Sequence, residues 1–198
     1  VQRIVKRAIK ILLICGVILI PAILIFTNME RIQSWFNDIK TTVASSDQSE
    51  DDYDWDDLFD GSRETETFGE YEYADFDGKH YGIDYALPRK TPIKAAADGI
   101  VTRTFKDKLG GNVLQIAEDD GKHYEWYMHL SEYKVETRDE VKRGDVVALS
   151  GNTGEQTTGP HLHFQRMKGG VGNKYAEDPA DFVDQLPDGE KSLYDLEK

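Results

Sequence analysis

The chain has 198 residues, with 24 lysines and arginines against 37 aspartates and glutamates, for a formal net charge of −13. That length allows one ordinary domain plus an additional segment, and so acidic a balance argues against binding to nucleic acid or to other anionic polymers. Cys15 is the only cysteine, which excludes an intrachain disulfide and leaves core packing or a bound metal to supply stability.

In chain order, residues 1–8 form a basic segment carrying Arg3, Lys6 and Arg7. From Ile9 to Phe26, "IKILLICGVILIPAILIF" is apolar except at Lys10, whose ammonium can snorkel to the headgroups. A helix of that length nearly spans the roughly 30 Å hydrocarbon core, which predicts a transmembrane helix over 9–27. The bases precede it and Glu30 and an acidic stretch follow, placing the N-terminus in the cytoplasm and the rest outside the membrane. The alternative is a cleaved secretory signal, which needs a shorter apolar region and small residues at the cleavage point; "IFTNMER" offers no such pair. Both readings export the remainder. Ile14 is too large for a lipoprotein processing site, so Cys15 reads as a small apolar residue in lipid.

Residues 28–44 place Ile32, Trp35, Phe36, Ile39 and Val43 at helical spacing, predicting a juxtamembrane helix whose stripe faces lipid, a second copy or an envelope protein partner. Residues 45–66 are dominated by carboxylates and read as an extended acidic linker, with Tyr53, Trp55, Leu58 and Phe59 as its apolar exceptions. From about Phe68 the texture changes to short alternating runs, "GIVTRTF", "NVLQIAE", "HYEWYMHL", "DVVALSG" and "HLHFQRM", separated by turns such as "LGGN", "DDGK" and "KRGD". These predict an all-β antiparallel domain over 67–187, closed by a short helix in "EDPADFVDQL" and followed by a tail over 188–198.

The chemistry-bearing residues lie in three of these runs. In "KHYGIDYALP", His80 and Asp84 are an even number apart, so on an extended strand both project from one face. The same parity puts His161 and His163 of "HLHF" on one face, with Leu162 and Phe164 turned to the core. In "HYEWYMHL" it makes Tyr124, Trp126, Met128 and Leu130 the apolar face and leaves His129 on the other with Tyr127 and Glu125. Two histidines and an aspartate with an open fourth position suit catalytic zinc, whereas structural zinc takes four protein ligands rich in cysteine. The two remaining histidines of that set are then available for proton transfer, an inventory that fits amide hydrolysis. His123, beside the "DDGK" turn, reads as an ordinary surface histidine.

These segments resemble the lysostaphin/LytM-type zinc metalloendopeptidases, peptidoglycan hydrolases of bacterial cell walls. The resemblance covers Phe68 to about Val183 and rests on "HYGIDYALPRKTPIKAAADGIV", "YEWYMHL" and "SGNTGEQTTGPHLHFQRMKGGVGNKYAEDP". It implies an antiparallel β catalytic domain with a duplicated hybrid motif and a groove between loops. It further implies zinc held by His80, Asp84 and His163, with His129 and His161 as the catalytic pair. "FGEY" looks like the segment carrying the family's active-site tyrosine, so Tyr71 is expected to be a transition-state donor. The implied substrates are peptide cross-bridges of peptidoglycan, glycine-rich ones in this branch. In some members an upstream segment makes the site latent, a part that Trp55 and Phe59 of the acidic stretch would play here. The acidic charge and the lack of a basic wall-binding module after residue 187 suggest localisation by a membrane tether instead. The alternative is a non-catalytic scaffold in an envelope assembly. Such relatives have typically lost a ligand or a catalytic histidine, and all five positions are filled here. A biotinyl- or lipoyl-carrier-like sandwich, suggested by "VKRGDVVALSG", lacks an obvious carrier lysine in a tight turn.

Overall fold

The computed structural model describes residues 62–71 and 78–196. The basic segment, the span expected over 9–27, the juxtamembrane helix over 28–44 and all but the end of the acidic linker lie outside the described residues, Cys15, Trp55 and Phe59 among them. Among the described residues no helix is long and apolar enough to cross a membrane.

The first strands are short: β1 (Glu64–Glu66), β2 (Gly69–Glu70), β3 (Lys79–His80), β4 (Ile83–Ala86) and β5 (Pro92–Lys94). The longer β6 (Gly99–Asp107), β7 (Gly111–Glu118) and β8 (His123–Met128) form a meander. Then come β9 (Glu132–Tyr133), β10 (Glu140–Val141), β11 (Val146–Leu149), β12 (His161–Lys168) and β13 (Ala176–Glu177), followed by helix α1 (Ala180–Asp184) and a 3-10 turn, Gly189–Ser192. The main sheet runs β1-β4-β12-β8-β7-β6-β10, with β13 also on β12, and its pairings are antiparallel. A second sheet, β5-β11-β9, and the β2–β3 pair complete the described strands.

The expected all-β antiparallel domain and its closing short helix are therefore observed. The runs "GIVTRTF", "NVLQIAE", "HYEWYM", "VVAL" and "HLHFQRM" all fall in strands because β-branched and aromatic side chains alternate there on a pleated, half-buried surface. One face of the main sheet packs as core, with Ile83, Tyr85, Leu114, Ile116, Leu162 and Phe164 buried. The sheet centres on β12, where His163 stands opposite Asp84 of β4 on one side and Met128 of β8 on the other.

Two expectations are corrected. The faces of β8 are reversed: Tyr127 and Glu125 are fully buried on the core side, whereas Trp126 and Met128 line a groove. Alternation could not choose, because β8 carries aromatic residues on both faces, and His129 lies beyond the strand at φ 61°, where strand parity no longer holds. The sheet also begins inside the stretch read as linker: Glu66 of β1 pairs with Asp84, and Leu193 and Tyr194 of the stretch read as tail are buried in the core. Glu190 joins the two ends, accepting hydrogen bonds from Arg63 N at 2.7 Å and from Ser62 and Tyr194 hydroxyls at 2.5 Å. Composition counts Glu190 as a solvated charge, whereas it is hydrogen-bonded to a backbone N–H and two hydroxyls.

At the other end of β12, Arg166 forks onto both carboxylate oxygens of Glu118 (2.7 and 2.9 Å), reaches Glu177 at 2.9 Å and lies over the Phe182 ring. Beside it Glu125 accepts a 2.7 Å bond from the Tyr127 hydroxyl, and burial, reinforced by Glu118, pushes its carboxyl up to about 8. A carboxyl held up in this way keeps its proton in the folded state where the unfolded chain has lost it. Between its ordinary 4.5 and about 8 the folded state binds more protons, so this group makes stability fall as pH rises through that window. Glu125→Gln is expected to flatten that fall and to stabilise the fold at pH 8–9 by about 1–3 kcal/mol. Urea melts of both proteins from pH 5 to 9 check this; parallel pH profiles would contradict it.

Candidate active site

Three segments bring their donors together on the open face of the sheet. Asp84 Oδ1 lies 2.8 Å from His163 Nδ1 and 3.1 Å from His80 Nε2, and the two nitrogens are 2.9 Å apart. His80 and Asp84 meet, but not by strand parity: the chain breaks between β3 and β4 at Tyr81–Gly82. Gly82 lets this corner approach β12. A Cβ there would sit 2.3 Å from Phe164 O and 2.7 Å from His163 Nε2, with backbone blocking any easy relaxation. Gly82→Ala is therefore expected to cost about 1–3 kcal/mol and to displace the His163 ring. Thermal melts together with metal affinity would check this, and unaltered values for both would refute it.

Three of the imidazoles turn an Nδ1 hydrogen to a backbone carbonyl. His80 Nδ1 donates to the Thr67 carbonyl at 2.6 Å, which turns Nε2 toward Asp84 and His163, where it donates to Asp84 when the ring is protonated and offers a lone pair when it is neutral. His129 Nδ1 donates to the Thr153 carbonyl at 2.7 Å and His161 Nδ1 to the Gly159 carbonyl at 2.8 Å, freeing the Nε2 of each as an acceptor. The His129 and His161 rings lie 4.3 Å apart, and His161 Nε2 is 3.7 Å from Asp84 Oδ2. His129 reaches this position through its left-handed backbone, anchored by its N–H on Gly110 O at 2.7 Å.

Burial is the largest influence on these groups. It pushes the Asp84 carboxyl upward, but hydrogen bonds from His163 and His80 more than reverse it and hold the group far below the usual carboxylate range. Burial pulls His80 down, yet its bond to the Asp84 carboxylate and the charge there outweigh it, so its net shift is upward. His129 is brought down to about 3 by burial and then by His161 and His163, and His161 is lowered mainly by burial. At neutral pH both therefore present lone pairs to the groove.

His80, Asp84 and His163 form a group able to hold a metal ion, and their geometry fits zinc. A tetrahedral zinc with bonds of about 2.0–2.1 Å separates its ligand atoms by about 3.3 Å, so the observed edges need only a few tenths of an ångström of expansion. The donor set of two neutral imidazoles and one carboxylate also matches catalytic zinc chemistry. A second group, Glu118, Asp120 and His123, has the composition of a metal site. It is already spoken for: His123 Nδ1 meets Asp120, its Nε2 meets Glu177 at 3.3 Å, and Arg166 occupies Glu118.

The site opens into a groove of about 820 Å³ lined by Tyr71, His129, Gln156, His161, Trp126 and Phe105 among others. Tyr71 lies with its ring 4.9 Å from that of His80 and accepts a 2.6 Å bond from Gln156 Nε2. Burial, then the charges of Asp84 and Glu66, push its hydroxyl up to about 12, so it remains protonated and able to donate. The sequence reading missed the carbonyls of Thr67, Thr153 and Gly159, which no residue pattern marks, and Gln156, whose partner is distant in sequence.

Comparison with known proteins gives this arrangement its context. The sequence pattern of peptidase family M23 matches residues 78–177. Glycyl-glycine endopeptidase ALE-1 of Staphylococcus capitis is 41% identical over 126 residues, 63% of this chain and 34% of that protein. Lysostaphin of Staphylococcus simulans is 44% identical over 117 residues, 59% of this chain and 24% of that protein. The chain thus spans about a third and a quarter of the length of these curated relatives. The solved structure of LytU is similar with a TM-score of 0.67 and 68% identity, covering 72% of this chain and 98% of that one. The family pattern extends over half of the residues and takes in His80, Asp84, His129, His161 and His163 together, so the chain belongs to peptidase family M23.

Proposed function

We propose that the protein is a membrane-tethered, zinc-dependent endopeptidase that hydrolyses glycine-containing cross-bridges of bacterial peptidoglycan. The observation that carries this reading is the convergence of His80, Asp84 and His163 within 2.8–3.1 Å, with the acceptor nitrogens of His129 and His161 turned to the same groove. The relative named a glycyl-glycine endopeptidase supports the substrate class.

In this reading the first three residues hold the metal. When bound, zinc supplies Lewis acidity there, lowering the pKa of water to about 7 and polarising a carbonyl. The Thr67 carbonyl fixes the His80 ring, and the contact of Asp84 with His163 already brings the donors close to ligand spacing. His129 and His161, neutral and pinned through Nδ1, use Nε2 to take the proton of the attacking water and to deliver it to the leaving amine. Tyr71 donates its hydrogen to the carbonyl oxygen as negative charge builds there. The apolar run over 9–27 tethers the domain, substituting high local concentration for wall affinity.

Purified peptidoglycans with and without glycine in their bridges test the substrate. Mass spectrometry is expected to find glycine-terminated fragments from the first only; equal digestion of both, or of neither, would overturn the assignment. Recovery of the full chain in washed membranes tests the tether, and recovery in the soluble fraction would remove it.

A further inference from the structure

We propose that Gln156 is a positioning residue: its side-chain amide holds the Tyr71 hydroxyl so that the phenol's own hydrogen is given to the scissile carbonyl oxygen. This rests on the peptidase reading above and adds to it a residue on the opposite side of the site.

The direction of the bond carries the inference. Gln156 Nε2 donates to the Tyr71 hydroxyl at 2.6 Å, so the hydroxyl acts as acceptor toward the amide and keeps its hydrogen for donation. Had a carboxylate stood at 156, the phenol would donate to it instead. Tyr71 follows the two-residue strand β2, and its backbone N–H reaches Gly78 O at 3.3 Å.

Gln156 in turn is built on a braced loop. Its N–H bonds Leu109 O at 3.2 Å, and the N–H of Glu155 bonds Lys108 O at 3.0 Å. Gly154, at φ 92°, allows this contact, since a Cβ there would sit 2.2 Å from Leu109 O. The loop between β11 and β12, which also leads into His161, is thereby clamped to the β6–β7 turn. It presents a fixed amide to a tyrosine arriving from the start of the domain. Both side chains line the groove, and the Tyr71 ring stands 4.9 Å from that of His80, beside the reacting centre.

The test uses the full chain loaded with zinc and pentaglycine as substrate, comparing Gln156→Ala, Gln156→Glu, Tyr71→Phe and the Gln156→Ala/Tyr71→Phe double variant. Gln156→Ala is expected to lower kcat about 10-fold with KM changed less than about 2-fold. Gln156→Glu, though closer in shape, is expected to be the worse variant, because it draws the phenol's hydrogen away from substrate. The double variant is expected to match Tyr71→Phe alone, since Gln156 acts through Tyr71. In metal-stripped protein the affinity for tetraglycine is expected to be unchanged by Gln156→Ala. Wild-type behaviour of Gln156→Glu, additive losses in the double variant, or a weaker tetraglycine complex would each overturn the inference while leaving the peptidase reading intact. A wild type without hydrolysis, or full activity in Tyr71→Phe, would overturn the corresponding part of that reading and the inference with it.

Discussion

Replacement of Asp84 or His163 by alanine is expected to abolish hydrolysis by removing the metal. Asp84 Oδ1 is the shared partner of the two imidazoles, 2.8 Å from His163 and 3.1 Å from His80. Without it two nitrogens 2.9 Å apart face each other with no carboxylate to offset a dication. Removing an outer partner of a zinc ligand lowers metal affinity about 10–100-fold, and removing a ligand itself is expected to exceed that range. Asp84→Asn keeps the shape and discards the charge, so it should fall between wild type and Asp84→Ala. Competition against a zinc-sensitive dye reads each affinity directly. An unchanged affinity in Asp84→Ala would sink the ligand assignment.

Replacement of His129 or His161 is expected to separate binding from chemistry. Neither belongs to the group of donors able to hold the metal, and each has its Nδ1 committed to a backbone carbonyl. Each alanine variant should retain one zinc per chain and lose about 100- to 10,000-fold in kcat, the range for removing a general acid or base. The rings lie 4.3 Å apart and serve one proton path, so the double variant should lose little more than the worse single one. Zinc content with kinetics on pentaglycine checks this, and activity that survives both substitutions would contradict it.

How far the sequence reaches depends on which physical rule governs each residue. On β12 one rule suffices: "HLHF" alternates, Leu162 and Phe164 are buried in the core, and His161 and His163 line the groove. His80 and Asp84 converge as expected, yet through a corner at Gly82 that parity reasoning does not contain. His129 escapes the rule altogether, because a left-handed residue beyond the strand end points by its own backbone angles. The β8 faces were illegible because both carry aromatic residues, one facing core and one flooring the groove. Tyr71 beside His80, and Gln156 beside Tyr71, come together across the fold, and only motif resemblance drew attention to the first. The hydrogen bonds of Glu190 with the Arg63 N–H and the Ser62 hydroxyl were hidden in runs whose composition resembles linker and tail.

The central claim is that one metal ion, held by His80, Asp84 and His163, makes this groove a peptidase. Titration of zinc into the metal-stripped chain, with the new amino termini produced from pentaglycine followed at each point, tests it most directly. The account predicts no hydrolysis without metal and maximal hydrolysis at one zinc per chain. Full activity in the stripped protein, or none at any zinc concentration, would contradict it.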